Sequence, residues 1–180
     1  MAEQFFAGAS EVDITPPVGL PMDGYMARVG VSQGVHDPLL AQVLVLDDAN
    51  RRVALVAMDV LAVGAAFADT LRLSLATLLT MNPNAVLVCA SHTHAGPAGL
   101  HDWFAGGTGT ALNLQIMEML QARVMVAAQT ALSRLAPALW TPWMPATQPH
   151  AGVTAPSSTT RSGSLKFHQS SWRRASGRGV

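Results

Sequence analysis

Residues 52–91 impose the strongest constraint on the fold, because they read as strand, helix and strand in immediate succession. Residues 52–60 form a β-rich apolar run. Residues 65–80 carry Phe67, Leu71, Leu75 and Leu78 or Leu79 at helical spacing, and Asn82-Pro83-Asn84 closes the segment. Residues 85–91 are again almost continuously apolar, the pattern of a strand buried on both faces. Such a βαβ unit implies two parallel strands with a right-handed crossover. In sheets of this kind ligands collect at the carboxyl ends of the strands. Asp59 ends the first strand, and His92 and His94 follow the second, so all three are expected at one sheet edge.

The flanking segments extend this core. Residues 11–15 alternate polar and apolar and read as a short strand closed by Pro16 and Pro17. Residues 18–34 are rich in Gly and Pro and read as an ordered loop. Residues 39–46 read as a strand that pairs with 52–60 as a hairpin through Asp47-Asp48-Ala49-Asn50. Residues 111–135 read as a long helix with Met117, Leu120, Val124, Ala127 or Ala128, Ala131 and Leu135 on one face, ended by Pro137. The expected class is α/β: a mixed sheet with a hairpin and a βαβ unit, helices packed on it, and a disordered C-terminal tail.

The tail stands apart by composition. Half of residues 141–180 are Ser, Thr, Gly or Pro, and no acid occurs after Glu118. Arg161, Lys166, Arg173, Arg174 and Arg178 make the segment basic although the whole chain has zero formal net charge. A basic end can bind nucleic acid, but a solvated, disordered segment is the favoured reading, and no nucleic-acid partner is expected. The body is unusually apolar, with 49% hydrophobic and 12% charged residues where about a quarter charged is ordinary. That excess implies a buried sheet, or a surface covered by a partner or by further protein. Cys89 is the single cysteine, which excludes an intrachain disulfide. No apolar run reaches the roughly 20 residues that span a bilayer, and the start lacks a basic segment followed by a long apolar one. A cytoplasmic location is therefore the default expectation.

His92-Thr93-His94 is the sharpest chemical signal. In an extended chain, residues i and i+2 point to the same side, so both imidazoles face one small volume. Imidazole is a common zinc ligand, and a catalytic zinc takes about three protein ligands plus water. Two histidines held by hydrogen bonds at a strand end are the alternative. The metallo-β-lactamase pattern HxHxDH fails, because Ala95 and Gly96 follow His94. Barrel amidohydrolases carry HxH on their first strand, whereas a full βαβ unit precedes it here. Asp59 either supports an imidazole or caps the following helix. His36-Asp37 is an oriented histidine or, slightly favoured, a turn. His101-Asp102-Trp103 reads as surface, and Asp13 and Arg28 as structural. The glycine-rich 106–110 segment lacks the Lys-Ser/Thr ending of a phosphate loop.

Several blocks together carry a family resemblance. Gly8-Ala9-Ser10-Glu11-Val12-Asp13-Ile14-Thr15-Pro16-Pro17, Gly24-Tyr25-Met26-Ala27-Arg28, Val35-His36-Asp37-Pro38-Leu39, Ala57-Met58-Asp59-Val60-Leu61 and Ser91-His92-Thr93-His94-Ala95-Gly96-Pro97 follow one another in order. The set resembles the N-terminal domain of the neutral/alkaline, non-lysosomal ceramidase family. The resemblance implies zinc-dependent hydrolysis of an N-acyl amide, as in ceramide to sphingosine and fatty acid, on a lipid-like substrate. It implies one zinc ion, with His92 a ligand and His94 beside the metal, facing substrate or catalytic water. Asp59 and His36 are the candidate supporting residues. The family's other ligands, a His, a Glu and a Tyr, have no match in this chain, and family members are often exported.

The resulting expectation has two parts. Residues 1–140 are a partial ceramidase-like catalytic domain, and residues 141–180 are a low-complexity basic tail, disordered or out of frame. The chain is then a hydrolase fragment, inactive alone, with the remainder of the domain or a partner covering its apolar surface. A non-catalytic binding or regulatory half-domain is the alternative.

Overall fold

The computed structural model describes residues 5–25, 27–101 and 113–138. Met26, Asp102, Trp103, the 106–110 segment, the first residues expected in the long helix and the 141–180 tail lie outside the described residues. The described chain folds as β1 (Phe6–Asp13), β2 (Leu40–Asp47), β3 (Arg52–Met58), α1 (Ala65–Leu79), β4 (Val86–Ala90), α2 (Leu114–Ser133) and β5 (Ala136–Pro137). A short 3-10 turn at Pro83–Ala85 leads into β4.

The five strands form one mixed sheet in the order β4-β3-β2-β1-β5. β1 with β2, β2 with β3 and β1 with β5 are antiparallel, and β3 with β4 is parallel. The expected hairpin and βαβ unit are therefore both present. Asp47 secures the hairpin: its carboxylate accepts from Arg52 Nε at 2.9 Å and NH2 at 2.6 Å. The same guanidinium donates to the Leu79 carbonyl at the end of α1.

Both helices pack on the sheet, α2 against β1 and β2 and α1 against β4. The core between them holds Val43, Val45, Val56, Met58, Leu71, Leu75, Leu120 and Val124. α1 buries Phe67, Leu71, Leu75 and Leu79, four of the residues its periodicity marks, and ends at Thr80 in the left-handed conformation. α2 begins where the Asn113 side chain accepts from the Ile116 N–H at 3.2 Å, satisfying one of its free amides. Gln121 of α2 donates to Ser74 of α1 at 2.9 Å, which ties the helices together.

Two expectations need correction. The first strand runs over Phe6–Asp13 rather than 11–15. Its first half is Gly8-Ala9-Ser10, small residues that give little strand signal. Their smallness is what the packing needs: a Cβ on Gly8 would lie 2.1 Å from the Ala131 carbonyl oxygen. Ser10 Oγ donates to the Ala127 carbonyl at 2.6 Å, so α2 presses directly onto the strand backbone. Second, β4 is not buried on both faces. It is an edge strand, with Leu87 50% exposed and Cys89 exposed. The helices cover the Val86, Val88 and Ala90 face, and Leu87 and Cys89 point the other way.

Candidate active site

The sheet edge where β3 and β4 end carries the histidine pair. Beyond the paired strands, Ser91 N donates to Met58 O at 3.0 Å and His92 N donates to Val60 O at 3.1 Å. The segment bearing the histidines is thus still stitched to the chain leaving β3. His92 then adopts φ 62°, the left-handed region that non-glycine residues rarely enter. Such a conformation costs on the order of 1–3 kcal/mol and persists where the surroundings enforce it, often at functional sites. The pairing of the two imidazoles comes from this turn, not from the extended chain that the HxH spacing suggests.

His92 Nδ1 lies 2.9 Å from the Leu61 carbonyl oxygen. A carbonyl only accepts, so Nδ1 carries the hydrogen, and a neutral ring then leaves the Nε2 lone pair free. A metal-ligating histidine usually has this arrangement, its other nitrogen donating to a carbonyl or carboxylate. The His92 and His94 rings lie 5.3 Å apart, centroid to centroid, with planes at 78°. His94 is half-buried, and its Nδ1 is buried without a hydrogen-bond partner among the described residues.

The loop residues 20–25 and Arg28 lie against His94. Pro21 and Met22 pair with Pro97 and Ala98, and Asp23 N donates to Gly96 O at 3.1 Å. Gly24 takes φ 107°, and a Cβ there would come within 2.6 Å of His94 Cγ, so only glycine lets the loop lie against the ring. Tyr25 meets the His94 ring edge-on at 4.7 Å. Arg28 sits 5.0 Å over the Tyr25 ring and donates to two carbonyls, Asp23 at 2.9 Å and His94 at 2.8 Å. Arg28 is thereby part of the site's frame.

The other expected residues take different positions. Asp59 lies at the shared edge, but its carboxylate accepts from the Leu40 N–H at 3.0 Å, tying β2 to β3. It does not cap α1, whose N-cap is Gly64. His36 pairs with Asp37 at 2.8 Å, and the two side chains are 97% and 84% exposed. It borders a cavity of about 200 Å³ whose walls also include Leu20, Met22, Ala95 and Pro97. His101, expected at the surface, is buried, its Nε2 2.7 Å from Asp23 Oδ2. Asp23 went unmarked in the sequence because its partner is 78 positions away.

The donor chemistry at this corner fits zinc in kind: a bare Nε2 on His92 and a second imidazole beside it. Among the described residues no group of three or more His, Cys, Asp or Glu is placed to hold one ion.

The sequence pattern of the family described as neutral/alkaline non-lysosomal ceramidase, N-terminal, matches residues 5–140. The chain belongs to this family. Its fold is similar to that of neutral ceramidase from Pseudomonas aeruginosa, with TM-score 0.60 and 21% identity, covering 76% of this chain and 23% of that one. A ceramidase complexed with C2 is similar at TM-score 0.58 and 22% identity, covering 74% of this chain and 22% of that one. This ceramidase-family chain thus spans about a quarter of the length of the solved ceramidases it matches.

Proposed function

We propose that this ceramidase-family chain carries the zinc corner of a hydrolase of N-acyl amides, with ceramide, cleaved to sphingosine and fatty acid, as the reference substrate. The observation that carries the reading is the His92 Nδ1 bond to the Leu61 carbonyl, which in a neutral ring leaves the lone pair on Nε2. His92 would hold the ion through Nε2. Zinc, when bound, polarises a carbonyl and lowers the pKa of a coordinated water to about 7.

His94 stands beside that position, held by Gly24 and Tyr25, where its ring can take or deliver a proton at the substrate amide or an attacking water. Hydrolysis breaks the C–N bond, water supplying hydroxyl to the acyl carbon and a proton to the amine. The apolar walls beside Ala95 and Pro97 suit a lipid-like chain. Among the described residues no helix is long and apolar enough to cross a membrane.

Two histidines do not complete a catalytic shell, which takes about three protein ligands. The chain by itself is therefore expected to be inactive, with the remaining ligands supplied by protein other than this chain. The same shortage favours a second reading, a non-catalytic binding half-domain.

The test is zinc content after purification together with hydrolysis of a short-chain ceramide. Zinc uptake lost in His92→Ala, without turnover, is the expected outcome. Tight stoichiometric zinc with turnover by the 180-residue chain would overturn the incomplete shell. Zinc uptake indifferent to His92 would leave the binding half-domain as the better account.

A further inference from the structure

Asp23 is engaged through every polar atom it has. Its N–H donates to Gly96 O at 3.1 Å, and its carbonyl accepts from Arg28 NH1 at 2.9 Å. Oδ1 accepts from the Gly24 N–H at 2.9 Å, and Oδ2 meets His101 Nε2 at 2.7 Å. These contacts join three separate stretches of chain: the turn after the histidine pair, the loop over it, and the segment that follows Leu100. The two side chains are little exposed, 17% for Asp23 and 5% for His101. A carboxylate that only caps its own turn would need Oδ1 alone.

The consequence falls on His94. No hydrogen bond among the described residues orients its Nδ1, so packing sets the ring's direction. The packing atoms on the loop side are the Gly24 backbone and the Tyr25 ring, with the His92 ring also edge-on to His94. Gly24 and Tyr25 follow Asp23 directly, and the buried carboxylate–imidazole bond adds a side-chain anchor to the backbone bonds that already join Pro21 to Ala98 and Asp23 to Gly96. The Arg28 clamp cannot replace that bond, since it holds the Asp23 and His94 carbonyls to each other and not the loop to His101.

We propose that Asp23, locked by His101, is a positioning residue that sets the orientation of the His94 imidazole through Gly24 and Tyr25. The proposal rests on His94 being the working histidine of the site, but its test needs neither metal nor substrate.

The experiment is NMR of the full chain, labelled at histidine and tyrosine, reading the His94 ring signals and the Tyr25–His94 ring NOE. In Asp23→Ala the His94 signals are expected to shift and broaden and the NOE to vanish. Asp23→Asn, which keeps one acceptor and sets an amide donor against the other partner, is expected to give an intermediate result. His101→Ala is expected to repeat the Asp23→Ala result, and it gives the reading if Asp23→Ala does not fold. A role confined to stability would lower the thermal midpoint and leave the His94 signals of the folded protein unmoved. That pattern in either alanine variant overturns the proposal. Failure of ceramide hydrolysis would leave this result standing, and the reverse also holds.

Discussion

The Arg28 guanidinium holds the backbone carbonyl of His94 at 2.8 Å, across 66 residues of sequence. Its other terminal nitrogen holds the Asp23 carbonyl, and its plane lies over Tyr25. A single planar side chain thus clasps both sides of the candidate site. Lysine has no second prong to match it. Arg28→Ala should destabilise by roughly 1.5–3 kcal/mol, the usual worth of a hydrogen bond from a charged group. Arg28→Lys should recover less than half of that loss, as read by urea unfolding.

His92 occupies a backbone conformation that suits glycine better than histidine. His92→Gly should therefore remove metal uptake while leaving the thermal midpoint unchanged or higher. His92→Val, with a branched Cβ at the same φ, should lower it. If both variants melt below the parent by the same amount, backbone strain at residue 92 is not the governing factor.

Stability should fall in acid because of the hairpin ion pair. The Arg52 side chain beside Asp47 holds its carboxyl below the ordinary carboxylate range, and the Thr15 side-chain and backbone hydrogen bonds do the same for Asp13. A lowered folded pKa means the unfolded chain binds the proton more readily, so stability rises with pH through this region. The contribution is full above the unfolded carboxylate value, near about 4, and drains away as pH falls through the folded value. Asp47→Asn should flatten the acid limb of urea midpoint against pH. An unchanged limb would remove this pair as its source.

The two faces of the sheet should respond differently to charge. Val56 is fully buried under the helices, whereas Leu87 lies on the opposite face and is half exposed. Val56→Asp should unfold the domain, since an unpaired buried carboxylate adds to a lost core side chain worth about 1.5–3 kcal/mol. Leu87→Lys should change stability by about 0.5 kcal/mol at most. Circular dichroism melts of the two variants compare these directly.

The parts of this fold that were legible in the sequence are those carried by bulky residues at regular spacing. Phe67, Leu71, Leu75 and Leu79 announce α1, and the apolar runs on either side announce β3 and β4. Where packing depends on smallness, the signal fades. Gly8 sits in β1 because α2 comes too close for a Cβ, and Ser10 because its hydroxyl donates to the Ala127 carbonyl of α2. The apolar run of β4 cannot by itself say whether one face or two are covered. At the site, the His92-Thr93-His94 spacing was visible, but the left-handed turn that converges the rings was not. Buried His101 meets Asp23, a contact between distant segments that no local pattern encodes.

The central claim is that His92 offers its Nε2 to zinc while Leu61 holds its Nδ1 hydrogen. The most direct measurement is the ring ¹⁵N spectrum of histidine-labelled protein during zinc addition. The account predicts that, before zinc, His92 shows the Nδ1-protonated tautomer, and that zinc then moves the His92 Nε2 signal, a response lost in His92→Ala. A His92 ring protonated at Nε2, or zinc that binds equally well without His92, would contradict it.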